Sequence, residues 1–537
     1  MKKPFSIALT ASLAAILVVG AACVDRKVIA FWNGFGAVVA GYLNPICNDY
    51  KNVSEDDYEI NVQSYGGYDA LYKAIDLGIS NKAYPNMAVA YPDHMATYIS
   101  KYVLVALDKY LADAGLSTDD FIDDYMPENQ GFGVYEKGDF IGQPKTMGLP
   151  FNKSTELFVY NKTYFEWIAT VNPSITLPQT WDEVLTQGIA IRDLMKNGNG
   201  GAGYYAHMVA RNNQNNTWKA FAYDSKGELP ADYDTNIYEG ALDFKVASDS
   251  NFYPFGYDSV NNMFITILRQ FGSVYTAIGR KSTGEVNPTT GTYEFTKAAN
   301  WPKTVEAITM AARLFQKRVL GLPTQNFGGA LYCSNAFKAF QTVAVVGSSG
   351  GLENNVIVNP YTKVSTAPIP YNGNSADGKH VISQGTNLVC FQKKEADVVP
   401  TIRAIKYLTS EVNLDFCMKT GYFPVKKADR VNPLYIEFLN TEHSDPKVDI
   451  KRLGANTTNY EYVSEGSTWH NFVDPGFTGS SLIREAVGNI LGLLASKTDL
   501  ATLNDAQLLT AIENAVKDTV ETFDGYRPST GNPVFTF

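Results

Sequence analysis

The stretch Pro150-Phe-Asn-Lys-Ser-Thr-Glu-Leu-Phe-Val-Tyr-Asn-Lys-Thr-Tyr-Phe165, followed by Pro178-Gln-Thr-Trp-Asp-Glu183, decides the fold. Leu157 to Tyr160 form the short apolar run of a buried strand, and Thr180 with Glu183 three residues on is a capping box that opens a helix. A strand, a connection and a capped helix make an α/β unit. The same alternation runs upstream: strand Lys27–Asn33, helix Gly36–Tyr50 with Val39, Leu43 and Ile46 on one face, strand Glu59–Ser64, turn Gly66–Asp69, helix Ala70–Ile79, and strand Asn86–Ala90. Such a series predicts a parallel sheet whose ligands bind beyond the carboxyl ends of the strands. Tyr68 and Asp93 both stand where a strand gives way to a helix.

A chain of 537 residues exceeds what one hydrophobic core usually supports, so two or more lobes are expected. Apolar residues at 45% and aromatics at 13% exclude a disordered chain. The 33 Tyr against 6 Trp favour rings that can both stack and hydrogen-bond, which suits polar organic ligands. A formal charge of −10 without a basic stripe argues against nucleic acid as a partner and against electrostatic attachment to anionic lipid. Residues 1–22 read as an export signal: Lys2 and Lys3, an apolar core from Phe5 to Val19, then Gly20-Ala21-Ala22 before Cys23. No later apolar run approaches the length needed to cross a bilayer. The thiols of Cys47, Cys333, Cys390 and Cys417 form no C-x-x-C pair; a disulfide and buried free thiols are both open readings.

Several motifs carry possible chemistry. Gly347-Ser-Ser-Gly-Gly351 follows the strand Thr342–Val346 and matches the G-x-S-x-G nucleophile elbow, with His443 and His470 later in the chain, so an exported serine hydrolase built on Ser349 is one alternative. No oxyanion loop accompanies it. Gly198-x-Gly-x-x-Gly203 follows a helix where a dinucleotide fingerprint demands a strand. The five histidines are scattered with no ligand pair at helical spacing, so no metal and no cofactor is expected. Trp181 reads as the core anchor of its helix. Trp218, in an amide-rich loop, reads equally as a sugar-stacking ring or as part of a solvated loop. The Tyr-, Asn- and Gly-rich region from about 223 to 300 fits no repeat; its later part reads as a hairpin, Ser273–Gly279 with Thr292–Phe295. The helices Pro302–Val319, Ser480–Ala495 and Asp505–Phe523 follow, the last amphipathic through Leu508, Ile512, Val516 and Val520.

The P-F-N-x-S-T turn, the Tyr-Asn strand end and the Thr-Trp-Asp-Glu helix start resemble the crossover into the second lobe of family 1 extracellular solute-binding proteins. Within that family the likeness is greatest to the glycerol-3-phosphate-binding proteins of ABC importers, from Phe31-Trp32 through Phe523. The resemblance implies a type II two-lobe α/β fold with a hinge: lobe 1 from 23–150 plus 371–420, lobe 2 from 151–370 plus 421–537, and a divergent insert at about 223–300. It implies a ligand set of Tyr68 in Gly67-Tyr-Asp69, Asp93 in place of a Glu, Ser154, Ser349, Gly385, Tyr422 in Gly421-Tyr-Phe-Pro424, and Arg484 as a phosphate clamp. Gln384 replaces one of the family's paired glycines. Arg484 otherwise reads as a helix residue paired with Glu485 or Asp474.

By the same resemblance the chain is a monomeric, non-enzymatic binding lipoprotein, anchored at the outer face of the cell membrane through acyl chains on Cys23. It is expected to capture a sugar, oligosaccharide or glycerol phosphate and deliver it to a permease served by an ATPase. A surface adhesin with a vestigial pocket is the remaining alternative, suggested by the insert.

Overall fold

A ten-stranded mixed sheet runs through the computed structural model of the chain. The structure describes residues 27–121, 132–134, 144–197, 206–209, 219–222, 252–280, 282, 286–357 and 362–526. Its strands are β1 Lys27–Asn33, β2 Tyr58–Ser64, β3 Met87–Ala90, β4 Leu149–Asn161, β5 Phe255–Tyr257, β6 Leu320–Gly321, β7 Ala344–Ser348, β8 Val364–Ala367, β9 His380–Cys390 and β10 His470–Phe472. The spatial order is β6-β5-β7-β4-β9-β3-β1-β2, with β8 against β4 and β10 against β9. The flanks β2-β1-β3 and β6-β5-β7 are parallel, whereas β4 and β9 pair antiparallel with each other and with their outer neighbours. The helices used below are α1 Ala37–Asp49, α2 Tyr68–Ile79, α3 Pro92–Ser100, α4 Trp181–Asn197, α5 Val260–Gln270, α6 Trp301–Gln316, α7 Ser480–Ala495 and α8 Asp505–Val520.

Two apolar cores share the sheet. One gathers Ile29, Phe31, Leu43, Leu71, Met87 and Val89 with Phe151, Leu388, Ile405, Phe416 and Val425. The other gathers Leu157, Val159, Phe255, Phe264, Ile308, Val345, Ile382, Ile483, Ile490 and Val516. The chain therefore passes from one core to the other within β4, between Phe151 and Leu157, and returns within β9, between Ile382 and Leu388. The return falls later than a boundary at 371: Ile369 is buried in the second core, and Tyr371 packs edge-on against Trp469 at 5.8 Å. The segment 421–425 also belongs with the first core through Tyr422 and Val425, although the resemblance put it in lobe 2.

Residues 252–271, within the region read as a divergent insert, are largely core. Phe252, Phe255 and Tyr257 lead into α5, which is buried on nearly every side because it lies among α6, α7 and β9. The expected hairpin is present as Thr276–Arg280 against Val286–Tyr293, with a shorter tip than the Ser282–Gly291 turn chemistry suggested. Residues 223–251, Cys23, Trp218 and Gly198–Gly203 lie outside the described residues. Cys47, Cys333, Cys390 and Cys417 are buried free thiols, and burial pushes that of Cys47 up to about 12. Among the described residues no helix is long and apolar enough to cross a membrane.

Candidate functional site

The two halves face each other across a cleft with a cavity volume of about 720 Å³, within the range of small-molecule sites. Its walls are the carboxyl ends of the parallel strands, as the strand-helix alternation predicted. Gly36 follows β1, Tyr68 opens α2 after β2, and Tyr91, Pro92 and Asp93 follow β3. From the opposite half come Asp258 and Ser259 after β5, Ser348 at the end of β7, and Arg484 of α7. The floor is the crossover pair, with Asn152, Ser154 and Glu156 from β4 and Ser383, Gln384 and Gly385 from β9. Gly385 is required by its backbone: φ is +99°, and a Cβ there would lie 2.0 Å from the Asn152 carbonyl oxygen.

Six of the seven residues singled out from sequence line this cleft: Tyr68, Asp93, Ser154, Gly385, Tyr422 and Arg484. Tyr68 packs edge-on against Tyr91 at 4.8 Å, and its hydroxyl accepts from Asn152 Nδ2 at 3.2 Å. Asp93 Oδ1 accepts from the His94 backbone N–H at 2.8 Å, which aims a carboxylate into the cleft from the first turn of α3. Tyr422 stacks on Phe416 at 5.9 Å, and Gly350 of the other half approaches so closely that a Cβ would lie 2.6 Å from the Tyr422 ring.

Ser349 is the exception. Its side chain is 0% exposed and its Oγ accepts from the Thr155 backbone N–H at 3.3 Å, so it points away from the cleft. The chain turns into a 3₁₀ helix, Ser349–Asn355, directly after β7, and the serine left facing the cleft is Ser348. The same geometry removes the nucleophile elbow. A hydrolytic serine must present its Oγ to substrate beside a base, whereas His470 lies 3.4 Å from Asp377 and the His443 ring packs against Phe438.

Arg484 is not a free clamp. Its Nη1 donates to Asp474 Oδ2 at 2.8 Å, the pairing its sequence left open, and its Nη2 donates to Asn262 Oδ1. With 27% and 15% of the Arg484 and Asp474 side chains exposed, both partners are largely withdrawn from water. Asn262 also donates to Glu156 Oε1 at 3.1 Å and to Gln384 Oε1 at 3.0 Å. Glu156 is further held by the Tyr257 hydroxyl at 2.6 Å. Burial pushes the Glu156 carboxyl up to about 7, against the pull of those two hydrogen bonds, so near neutral pH it can act as donor or acceptor. Burial likewise pushes Asp258 up to about 6, although the Cys333 N–H donates to it at 2.6 Å.

Arg484 is the one strongly basic side chain among the described lining residues, against seven carboxylic acids. Several neutral polar atoms at the cleft have no hydrogen-bond partner among the described residues: the hydroxyls of Tyr275, Thr276 and Ser383 and the Asn355 amide oxygen. Such orphaned groups are costly unless water or a ligand meets them. Among the described residues no cluster of His, Cys, Asp and Glu could hold a metal ion. Glu156, Asn262, Gln384, Asp474 and Ser348 were not foreseen as cleft residues. Glu156 and Gln384 gave no signal because β4 and β9 are buried on both faces and show no alternation.

The sequence profile of the bacterial extracellular solute-binding protein family matches residues 37–411. Solved structures of similar fold include UgpB of Mycobacterium tuberculosis in complex with glycerophosphocholine, at 15% identity and a TM-score of 0.59, covering 93% of this chain and 98% of that one. The Listeria monocytogenes ABC substrate-binding protein Lmo0181 in complex with cycloalternan matches at 12% identity and a TM-score of 0.58, over 93% of this chain and 100% of its own. The Thermus thermophilus maltotriose-binding protein matches at 13% identity and a TM-score of 0.54, over 92% and 100%. At these identities the likeness is one of fold. No curated protein matches the sequence.

Proposed function

The chain belongs to the bacterial extracellular solute-binding protein family, and from that premise we propose that its solute is a neutral, polyhydroxylated molecule, a sugar or oligosaccharide. One observation carries this reading: the guanidinium of Arg484 is already bonded to Asp474 and Asn262 in a cleft whose other polar lining groups are carboxylic acids, amides, hydroxyls and the His94 imidazole. A phosphate entering there would meet like charge, whereas sugar hydroxyls can donate to Asp93 and exchange hydrogen bonds with Ser154, Ser348, Ser383 and Tyr275. The relatives solved with cycloalternan and maltotriose support it. Glycerophosphocholine in a further relative favours a phosphodiester, which makes that compound the useful competitor.

In this reading Tyr68, Asp93, Ser154, Tyr422 and the backbone at Gly385 contact the ligand, Ser348 takes the place expected of Ser349, and Arg484 positions Asn262. The halves close by a hinge at the β4/β9 crossover, and the loaded monomer delivers its solute to a membrane permease driven by an ATPase. Acyl chains on Cys23 hold it at the outer face of the membrane, and it catalyses nothing itself. Thermal shift with maltotriose, cellobiose, glycerol 3-phosphate and glycerophosphocholine tests the solute class. A ligand at 100 times its dissociation constant adds about 2.7 kcal/mol of stability. Stabilisation by a neutral sugar and none by glycerol 3-phosphate is expected; the reverse order overturns the reading, and no response to any member favours an adhesin.

A further inference from the structure

Tyr332 lines the cleft yet is 62% exposed, and its neighbour Leu331 is 83% exposed. Single exposed apolar side chains are ordinary, but an exposed aromatic paired with an exposed leucine beside a cavity marks a surface meant to be covered. The backbone holds them there deliberately. Phe327 is packed edge-on against Tyr253 at 5.6 Å, after which Gly328 and Gly329 take φ of +73° and +78° with open space around both. These glycines answer to chain direction alone, since nothing would crowd a side chain at either. The chain is fixed again at Cys333, whose N–H donates to Asp258 and whose side chain is fully buried.

The result is a short arch, tied at both ends, that carries the Tyr332 ring at the mouth of the cleft. Tyr91 and Tyr422, which belong to the first half, line the same cleft. Among the described residues no ring contact occupies Tyr332 itself.

We propose that Tyr332 is a specificity-determining platform that stacks on the C–H face of a pyranose ring, giving the cleft a preference for cyclic sugars over open-chain polyols. This rests on the carbohydrate reading above. A pyranose in chair form presents a flat patch of C–H bonds that an aromatic face can cover, while an acyclic polyol presents no such patch. The ring matters more than the hydroxyl, because the phenol is free to reach water.

The test compares wild type, Tyr332→Phe and Tyr332→Ala by calorimetric titration with glucose, galactose, maltose, cellobiose, maltotriose, glycerol and sorbitol. Wild type is expected to bind a ring sugar more tightly than either acyclic polyol. Y332A should weaken ring-sugar binding by about tenfold, the worth of one covered aromatic face, and leave the polyols unchanged. Y332F should stay within about twofold, a change too small for a lost hydrogen bond. Unliganded thermal unfolding of all three should coincide, since the side chain is exposed. The platform is overturned if Y332A binds ring sugars as wild type does, or if Y332F loses as much as Y332A. If wild type binds no ring sugar, the carbohydrate reading has failed and the platform with it.

Discussion

Asn262 and Gln384 exchange both hydrogen bonds of their side-chain amides, Asn262 Nδ2 to Gln384 Oε1 at 3.0 Å and Gln384 Nε2 to Asn262 Oδ1 at 2.8 Å. The pair joins α5 of the second half to the crossover strand β9, and its free valences hold Glu156 and Arg484. Asn262→Ala leaves a buried carboxyl, an amide and a guanidinium each short of a partner. A loss on the order of 2–4 kcal/mol in urea-unfolding stability is expected, more than the net worth of any one bond, because unsatisfied buried groups carry their desolvation cost. A loss below about 0.5 kcal/mol would mean that water replaces the amide at no cost.

The two serines where β7 ends should separate cleanly. Ser348→Ala is expected to weaken ligand binding several-fold and, because the Ser348 hydroxyl caps the 3₁₀ turn by accepting from the Gly350 N–H at 3.3 Å, to cost about 0.5–1 kcal/mol of stability. Ser349→Ala removes the acceptor of the buried Thr155 N–H and should cost about 1–3 kcal/mol. Wild type should not react with a fluorophosphonate serine probe; labelling at Ser349 would revive the hydrolase.

Much of this was legible beforehand, and the reasons are local. Thr180 and Glu183 form the box their spacing demanded, with both reciprocal bonds at 3.2 Å, and Trp181 is a core anchor whose Nε1 donates to Gln270 at 2.6 Å. Tyr68 and Asp93 were findable because strand ends in a parallel sheet are a topological address. The side-chain direction at the 347–351 turn was not, since a 3₁₀ turn that starts one residue earlier or later exchanges Ser348 for Ser349. Asp474 as the partner of Arg484 was one of two candidates, and only the fold brings a residue ten positions away against the helix. The core helix α5 was hidden by the polar composition around it, because its Asn262 and Gln270 are buried hydrogen-bonding hubs.

Glu156 gives the molecule a pH dependence of known sign. Burial raises its folded pKa to about 7 from the ordinary 4.5, so the folded state binds the extra proton between those limits. Stability is therefore favoured below the lower value and falls as pH rises through the upper one. Relative to Glu156→Gln, wild type should lose on the order of 2–3 kcal/mol between pH 5 and 8. Parallel stability curves for the two proteins would show that Glu156 stays charged when folded.

Gly385→Ala should be among the most damaging single substitutions in the chain. A β-carbon there combines a left-handed backbone with a 2.0 Å approach to the Asn152 carbonyl, in the very strands that join the two halves. A destabilisation of roughly 3 kcal/mol or more is expected by chemical denaturation. A variant of wild-type stability would require that β4 and β9 part locally without loss.

The distribution of the four thiols has a use of its own. Cys47, Cys390 and Cys417 are sheltered by one core and Cys333 by the other. In an oxidising environment none of these four can be reached while its own core stays shut, so intermolecular cross-linking through them is confined to copies that have come apart. Each sulfur thereby doubles as a reporter: alkylation at Cys333 times the breathing of one half, and alkylation at the other three times that of its companion.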